Sequence, residues 1–261
     1  MPNDQNPFRG ISVRPVSLPA DSADLPETND YDSFAEAYTA SNEVNLINAY
    51  YERPAILALA GDVTDRRILD AGCGSGPLFA ALRDRGAIMT GIDKSAGMLE
   101  LARRRLGDGA DLQVAELGCP LPFPDGMFDD VTASLVLHYL RDWGPALAEL
   151  RRVLNPAGRL IVSVNHPFVT TLMHREEGRK PDYFATYNYI EEWTVDGRSA
   201  LFSFWHRPLH AITDAFTAAG FRISVLSEPG PAPKARELFP DEFADIPSSF
   251  LCFLFFVLQA D

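Results

Sequence analysis

Arg67-Ile-Leu-Asp-Ala-Gly-Cys-Gly-Ser-Gly-Pro-Leu-Phe-Ala-Ala-Leu82, answered downstream by Thr90-Gly-Ile-Asp93, is the stretch that decides the fold. Residues 68–71 are a short apolar run closed by glycine, the pattern of a buried parallel strand, and residues 78–85 carry apolar side chains at helical spacing. Gly72, Gly74 and Gly76 permit a tight turn and a close backbone approach to a ligand, and Pro77 suits a first helical turn, where its missing N–H is not needed. A second strand over 88–92 ends in Asp93, about 20 residues past the glycines, where a carboxylate can accept both hydroxyls of a ribose. The implied ligand is an adenosine-type molecule.

A dinucleotide loop would carry a third glycine three positions after the second. Pro77 stands there instead, and the chain has no Tyr-x-x-x-Lys pair. The ordered series Asp70-Ala-Gly-Cys-Gly-Ser-Gly76, Gly91-Ile-Asp93, Leu121-Pro-Phe-Pro-Asp-Gly-Met-Phe-Asp129 and Leu150-Arg-Arg-Val-Leu-Asn-Pro-Ala-Gly158 resembles the class I S-adenosylmethionine-dependent methyltransferases, of the type 11-like group with small-molecule acceptors. The resemblance runs from about Tyr31 to the C-terminus. It implies an α/β, Rossmann-like, doubly wound sheet of seven strands, the last antiparallel, with a small inserted cap. It also implies S-adenosyl-L-methionine as cofactor and S-adenosyl-L-homocysteine as product. Asp70 and the backbone of Gly72, Cys73, Gly74 and Gly76 would then face the methionine end and Asp93 the ribose. Lys94 and Met98 would border the adenine, Glu116 would accept from its exocyclic amine, and the Leu117 N–H would reach a ring nitrogen. Asp70 is equally readable as a structural turn residue, and Glu116 as an exposed loop carboxylate where many relatives carry Asp.

Along the chain, residues 1–30 are rich in proline and polar residues and read as a poorly ordered segment. Asn29-Asp30 is a candidate cap for a helix placing Tyr31, Phe34, Ala35 and Tyr38 on one face. Tyr31 and Tyr38 are either core packing or, as the resemblance implies, a lid over the cofactor. Segments at 68–70, 78–85, 88–92, 96–106, 112–115, 131–135, 146–154 and 160–164 alternate strand and helix, the signature of a parallel sheet covered on both faces. Ligands bind such a sheet beyond the carboxyl ends of its strands, which adds Ser134 and Leu135 to the cofactor set. Residues 165–207 interrupt the alternation with dense aromatics and period-two stretches and read as an antiparallel substrate cap inserted in a domain spanning 31–261. A helix over 209–219 and strands over 221–226 and 250–258 complete the chain.

Composition agrees with a soluble cytoplasmic enzyme. The 261 residues are 46% hydrophobic, enough for one large core. Cys73, Cys119 and Cys252 lack metal or disulfide spacing, so no metal site is expected. Met1-Pro-Asn-Asp-Gln lacks the features of a signal peptide, and 250–258 is too short to span a bilayer, so no membrane role is expected. A formal charge of −13 argues against nucleic-acid partners, whose phosphates require Lys and Arg. A monomer or homodimer acting on a small molecule is the expectation.

Methyl transfer needs alignment in a dry pocket and, for a hydroxyl, phenol or protonated amine, a base. His138 follows the fourth strand, His166 the fifth, and His206 lies where the cap returns to the core; each is a candidate base or a structural histidine. His166, held extended by Pro167, is expected nearest the methyl. Residues 133–138 are not Asn-Pro-Pro-Tyr, and Ser134 is no magnesium ligand, which leaves a metal-independent transferase methylating O, N or C of a small molecule. An RNA or protein methyltransferase and a non-catalytic cofactor-binding protein remain the alternatives.

Overall fold

A computed structural model describes residues 11–16, 28–195, 197–244 and 250–260. The stretch around Asp70 folds as its pattern dictates: β2 (Arg67–Ala71), a glycine turn, α3 (Pro77–Arg83), then β3 (Ile88–Asp93). The alternation continues through α4 (Ala96–Leu106), β4 (Asp111–Val114), β5 (Phe128–Ser134), α5 (Gly144–Val153) and β6 (Leu154–Asn165). After the inserted segment come α7 (Leu209–Ala218), β9 (Phe221–Ser227), α8 (Pro233–Leu238) and β10 (Phe253–Ala260). The central sheet has the order β4-β3-β2-β5-β6-β10-β9. β2, β3, β4, β5 and β6 pair in parallel, and β10 runs antiparallel to both β6 and β9. This is the doubly wound seven-stranded sheet with a reversed last strand. Phe253 to Leu258 are all buried, because β10 is covered on both faces. The strand starts later than the apolar run because Phe250 packs on Tyr51 and Phe243 instead.

Each face of the sheet has its own core. One gathers Val131, Leu147, Leu160, Phe216 and Phe256. The other joins Ile68, Phe79, Ile161 and Phe255 to Ile47, Tyr51 and Ile56. The last three belong to a helical segment just before β2: a π-helical turn (Asn48–Glu52) running into α2 (Arg53–Ala60). Pro54 has no N–H to offer the helix ladder, and the Arg53 N–H reaches back to the Asn48 carbonyl, the wider spacing of a π-turn. The extra residue in that turn lets both of two neighbours, Tyr51 and Glu52, face the protein interior.

The segment between β6 and α7 forms α6 (Pro167–Glu176) and a hairpin of β7 (Tyr187–Val195) and β8 (Arg198–His206). One expectation is corrected here. The first thirty residues contain a strand, β1 (Ile11–Val16), which pairs antiparallel with β7 from Ile11↔Val195 to Val16↔Ile190. Pro15 hides this strand in the sequence, yet it is tolerated because β1 is the outer strand of the β1-β7-β8 sheet, where one N–H side needs no partner. Residues 1–10 and 17–27, also expected to be poorly ordered, lie outside the described residues. The helix expected from Tyr31 begins later, as α1 (Ala35–Asn42), with Phe34 at its N-cap making no side-chain cap. Asp30 instead accepts the Asp32 and Ser33 N–H groups in a turn. Among the described residues no helix is long and apolar enough to cross a membrane.

Candidate active site

Beyond the carboxyl ends of β2, β3, β4 and β5 lies a cavity of about 260 Å³. Its wall includes Tyr31, Tyr38, Asp70, Gly72, Cys73, Gly74, Asp93, Lys94, Met98, Glu116, Leu117, Ser134 and Leu135. Of the residues expected to hold the cofactor, only Gly76 is absent from the wall. The three glycines therefore do different things. Gly72 sits at φ +78°, and a Cβ there would lie 2.6 Å from a Val136 methyl. Gly74, at φ +55°, has nothing within 4 Å of its missing Cβ, so its backbone is laid open to the cavity. Gly76 caps α3 at φ +78°, and a Cβ there would meet Leu106 of α4 at 2.9 Å. Its role is helix packing.

Asp93 is more than an exposed acceptor at a strand tip. One carboxylate oxygen accepts from Gly74 N at 2.9 Å and the other from Ser95 N at 2.9 Å, so it pins the glycine turn to the start of α4. Burial raises its carboxyl above the ordinary range, against the pull of those amides. Asp70 takes the Thr132 hydroxyl at 2.8 Å on one oxygen, while the other is buried and, among the described residues, makes no hydrogen bond, with the Phe79 N–H acting on the carboxyl. Burial, with Glu52 and Asp93 nearby, pushes Asp70 up to about 7 despite the Thr132 bond. A buried oxygen left unsatisfied costs about 1–3 kcal/mol, and a donor arriving with a ligand relieves that cost. Glu116 and Lys94 are exposed at the rim.

The roof is aromatic. Tyr31 and Tyr139 join hydroxyl to hydroxyl at 2.5 Å, and Tyr31 meets Tyr38 edge-on at 5.3 Å. Tyr38 in turn stacks on Trp193 of β7. Phe34, Tyr189, Trp193, Phe202 and Phe204 form the core of this roof. Two clasps hold it. Asn29 donates its N–H to the Leu201 carbonyl at 2.8 Å and accepts from Ser203 N at 2.9 Å. Asp32 accepts from the Ser95 hydroxyl at 2.5 Å and from Gly97 N at 2.7 Å, adding negative charge at the N-terminus of α4, where it is favoured.

None of the three candidate histidines lines this cavity. His166 caps α6, its Nδ1 accepting from Val169 N at 3.4 Å, and its Nε2 bonds Glu228 at 2.7 Å. Both ring nitrogens are occupied away from the cavity, so the structure does not bring His166, the histidine expected nearest the transferred methyl, into that wall. His138 lies behind Tyr139 against Phe204, and burial lowers it to about 3, which keeps it neutral. His206 donates from Nε2 to the Tyr183 carbonyl at 2.9 Å and stacks on Tyr187. His138 and His206 share a separate small void with Arg207. Sequence reading missed Asn42, Asn48, Glu52, Arg53 and Tyr139, all in the cavity wall. The available signal was the charged pair Glu52-Arg53 inside an apolar helical run before the first strand.

A methyltransferase domain model matches residues 69–162. The chain is 32% identical over 211 residues to the ubiquinone/menaquinone biosynthesis C-methyltransferase of Desulfotalea psychrophila, covering 73% of this chain and 80% of that protein. It is 38% identical over 134 residues to the demethylmenaquinone methyltransferase of Clavibacter sepedonicus, which is 51% of this chain and 55% of the relative, so the chain matches only about half the length of that protein. Among solved structures, an S-adenosylmethionine-dependent methyltransferase from Mesorhizobium loti superposes with a TM-score of 0.61 at 25% identity, over 79% of this chain and 96% of that one. The glycine turn, the strand-tip carboxylates and these likenesses agree, and the chain belongs to the class I S-adenosylmethionine-dependent methyltransferases.

Proposed function

We propose that this enzyme methylates a small, flat, hydroxyl-bearing aromatic acceptor held under the tyrosine roof. One observation carries the reading: the cavity joins a cation-seeking floor to an aromatic ceiling. Glu52, Asp70, Asp93 and Glu116 line it against Arg53 and Lys94, a net acidic lining suited to a ligand bearing sulfonium and ammonium charges. The unpartnered Asp70 oxygen and the open Gly74 backbone fit the methionine end of such a cofactor. The cofactor, when bound, supplies a methyl group on a positively charged sulfur.

In this reading Asp93 receives the ribose hydroxyls while keeping its bonds to the glycine turn. Met98 and Lys94 flank the adenine, and Glu116 with the Leu117 N–H recognises its edge. Ser134 and Leu135 border the transferred group. Tyr31, Tyr38 and Tyr139 exclude water and stack on the acceptor ring. Residues 165–207, with β1 added, act as the acceptor cap on a domain over 31–261. The quinone-pathway names of the relatives support an aromatic acceptor. The acidic chain supports a partner that is not a nucleic acid, and we take the protein as a cytoplasmic monomer or homodimer.

The test is transfer of a radiolabelled methyl group from S-adenosylmethionine to catechol, hydroquinone and naphthohydroquinone, with RNA and whole-protein extract in parallel. Labelled aromatic product is expected. Label appearing only in RNA or protein would overturn the acceptor class.

A further inference from the structure

The cavity floor holds a carboxylate to which the cofactor contacts assign no task. Glu52 is 4% exposed and reaches the wall from the π-turn before β2. Its Oε1 accepts from the Ser134 hydroxyl at 2.7 Å and from the Ser163 hydroxyl at 2.6 Å, clamping the ends of β5 and β6. The Ser163 hydroxyl oxygen also accepts from Leu135 N at 3.0 Å. Leu135 lies at φ +49°, a left-handed conformation uncommon outside glycine and typical of strained functional turns. One oxygen of Glu52 thus fixes the floor; the other takes neither serine hydroxyl, and Glu52 lines the cavity.

Sheet order gives that position its meaning. The Asp93 and Glu116 end of the cavity sits over β3 and β4, the glycine turn over β2, and Glu52 over β5 and β6. A ligand laid from β4 towards β2 points its reactive end at Glu52. The other titratable groups are poorly placed to take a proton there. Asp93 is tied by two amides, Asp70 lies under the glycine turn, and burial drives the bonded phenols Tyr31 and Tyr139 far up.

We propose that Glu52 is the catalytic base, taking the proton from the acceptor's nucleophilic hydroxyl as that oxygen is methylated. The inference rests on the methyltransferase reading above. In the step the acceptor's O–H bond breaks and its proton passes to Oε2 of Glu52. The freed electron pair forms the new bond to the methyl carbon, and the pair of the breaking carbon–sulfur bond stays on sulfur. The proton leaves to solvent after product release. Burial raises the Glu52 carboxyl, opposed by the two serine hydroxyls and Arg53, which moves it towards the range useful to a base at neutral pH. The charged and titratable groups facing it are Arg53, Asp70 and Tyr38.

Glu52→Gln keeps an oxygen for both serine hydroxyls and removes the base. We expect unchanged thermal unfolding and calorimetric S-adenosylhomocysteine affinity within about threefold of wild type. Single-turnover transfer to naphthohydroquinone should fall by about a hundredfold or more. The wild-type rate should rise with pH through a carboxyl titration that the variant lacks, and Glu52→Asp should recover part of the rate. In infrared spectra followed over pH, the ligand-free wild type should show one carboxyl band converting between protonated and ionised forms that is missing from Glu52→Gln. A folded Glu52→Gln enzyme transferring within threefold of wild type, or losing more than tenfold in product affinity, overturns the proposal. A wild-type protein that methylates none of the acceptors overturns the reading beneath it instead.

Discussion

Buried or half-buried carboxylates stand at both ends of the parallel strands, and the protein treats them in opposite ways. At the end away from the cavity, Asp130 of β5 has no exposed surface and is gripped by two guanidinium groups. Arg66 donates at 2.5 and 2.7 Å and Arg159 at 2.8 and 2.7 Å. Two bidentate forks fill its lone pairs and offset the cost of burying the charge. At the cavity end, Glu52, Asp70 and Asp93 have hydroxyl and amide partners, but among the described residues none is ion-paired. Burial raises all three. The first arrangement holds its counter-charges in direct contact; in the second, Arg53 and Lys94 act only from a distance, an arrangement suited to a cationic ligand.

The largest effect should come from breaking the paired end. Asp130→Ala strands two partly buried guanidinium groups and should lower unfolding free energy by about 3–5 kcal/mol, read by urea denaturation, with product affinity of the folded fraction within threefold of wild type. A loss under about 1 kcal/mol would mean that the paired end is no more a stability device than the open one.

Next comes Asp93→Ala. Two ribose bonds to a carboxylate contribute roughly 1.5–3 kcal/mol each, so S-adenosylhomocysteine affinity should drop by a hundredfold or more in calorimetry. Because Asp93 also holds the Gly74 and Ser95 amides, a modest loss of melting temperature should accompany it. Unchanged affinity would remove Asp93 from the ligand.

Asp70 sharpens the contrast through pH. With its folded carboxyl near 7 against about 3.9 unfolded, the folded state binds the proton more tightly. Its contribution to stability is full below about pH 4 and is lost as pH rises through 7. A cationic cofactor favours the ionised form, so affinity should climb by up to about tenfold per pH unit below 7. In Asp70→Asn both dependences should flatten in paired denaturation and calorimetry series. A pH-independent wild-type affinity between about pH 5 and 8 would show that Asp70 titrates elsewhere.

The sheet was legible because Asp70 to Gly76 and Asp93 are local: strand, turn and carboxylate follow one another within a short stretch, and periodicity carries the rest. The cavity wall was legible wherever it sits at a strand tip. Glu52 and Tyr139 were not. Glu52 faces inward only because a π-turn widens the helix ahead of Pro54, and no periodic template contains that turn. β1 was hidden because its pairing with β7 joins residues far apart in sequence. The histidines misled for a related reason. Position after a strand tells where the backbone emerges but not where the ring goes, and local bonds decided that.

The smallest expected effect is at His166, where the sequence pointed most strongly. Its ring nitrogens serve the α6 N-terminus and Glu228, both outside the cavity wall. His166→Ala therefore removes a helix cap, costing about 0.5–2 kcal/mol, and frees a half-exposed carboxylate whose pairing is worth little in water. Turnover should stay within about threefold of wild type, with product affinity unchanged. His166→Asn, which can cap the same helix, should recover most of the stability. A hundredfold loss of turnover in His166→Ala, with folding and cofactor affinity intact, would return the base to His166. It would also mean that the β6 end of the sheet rearranges on binding, since in the free protein this ring is turned away from the floor that Glu52 holds.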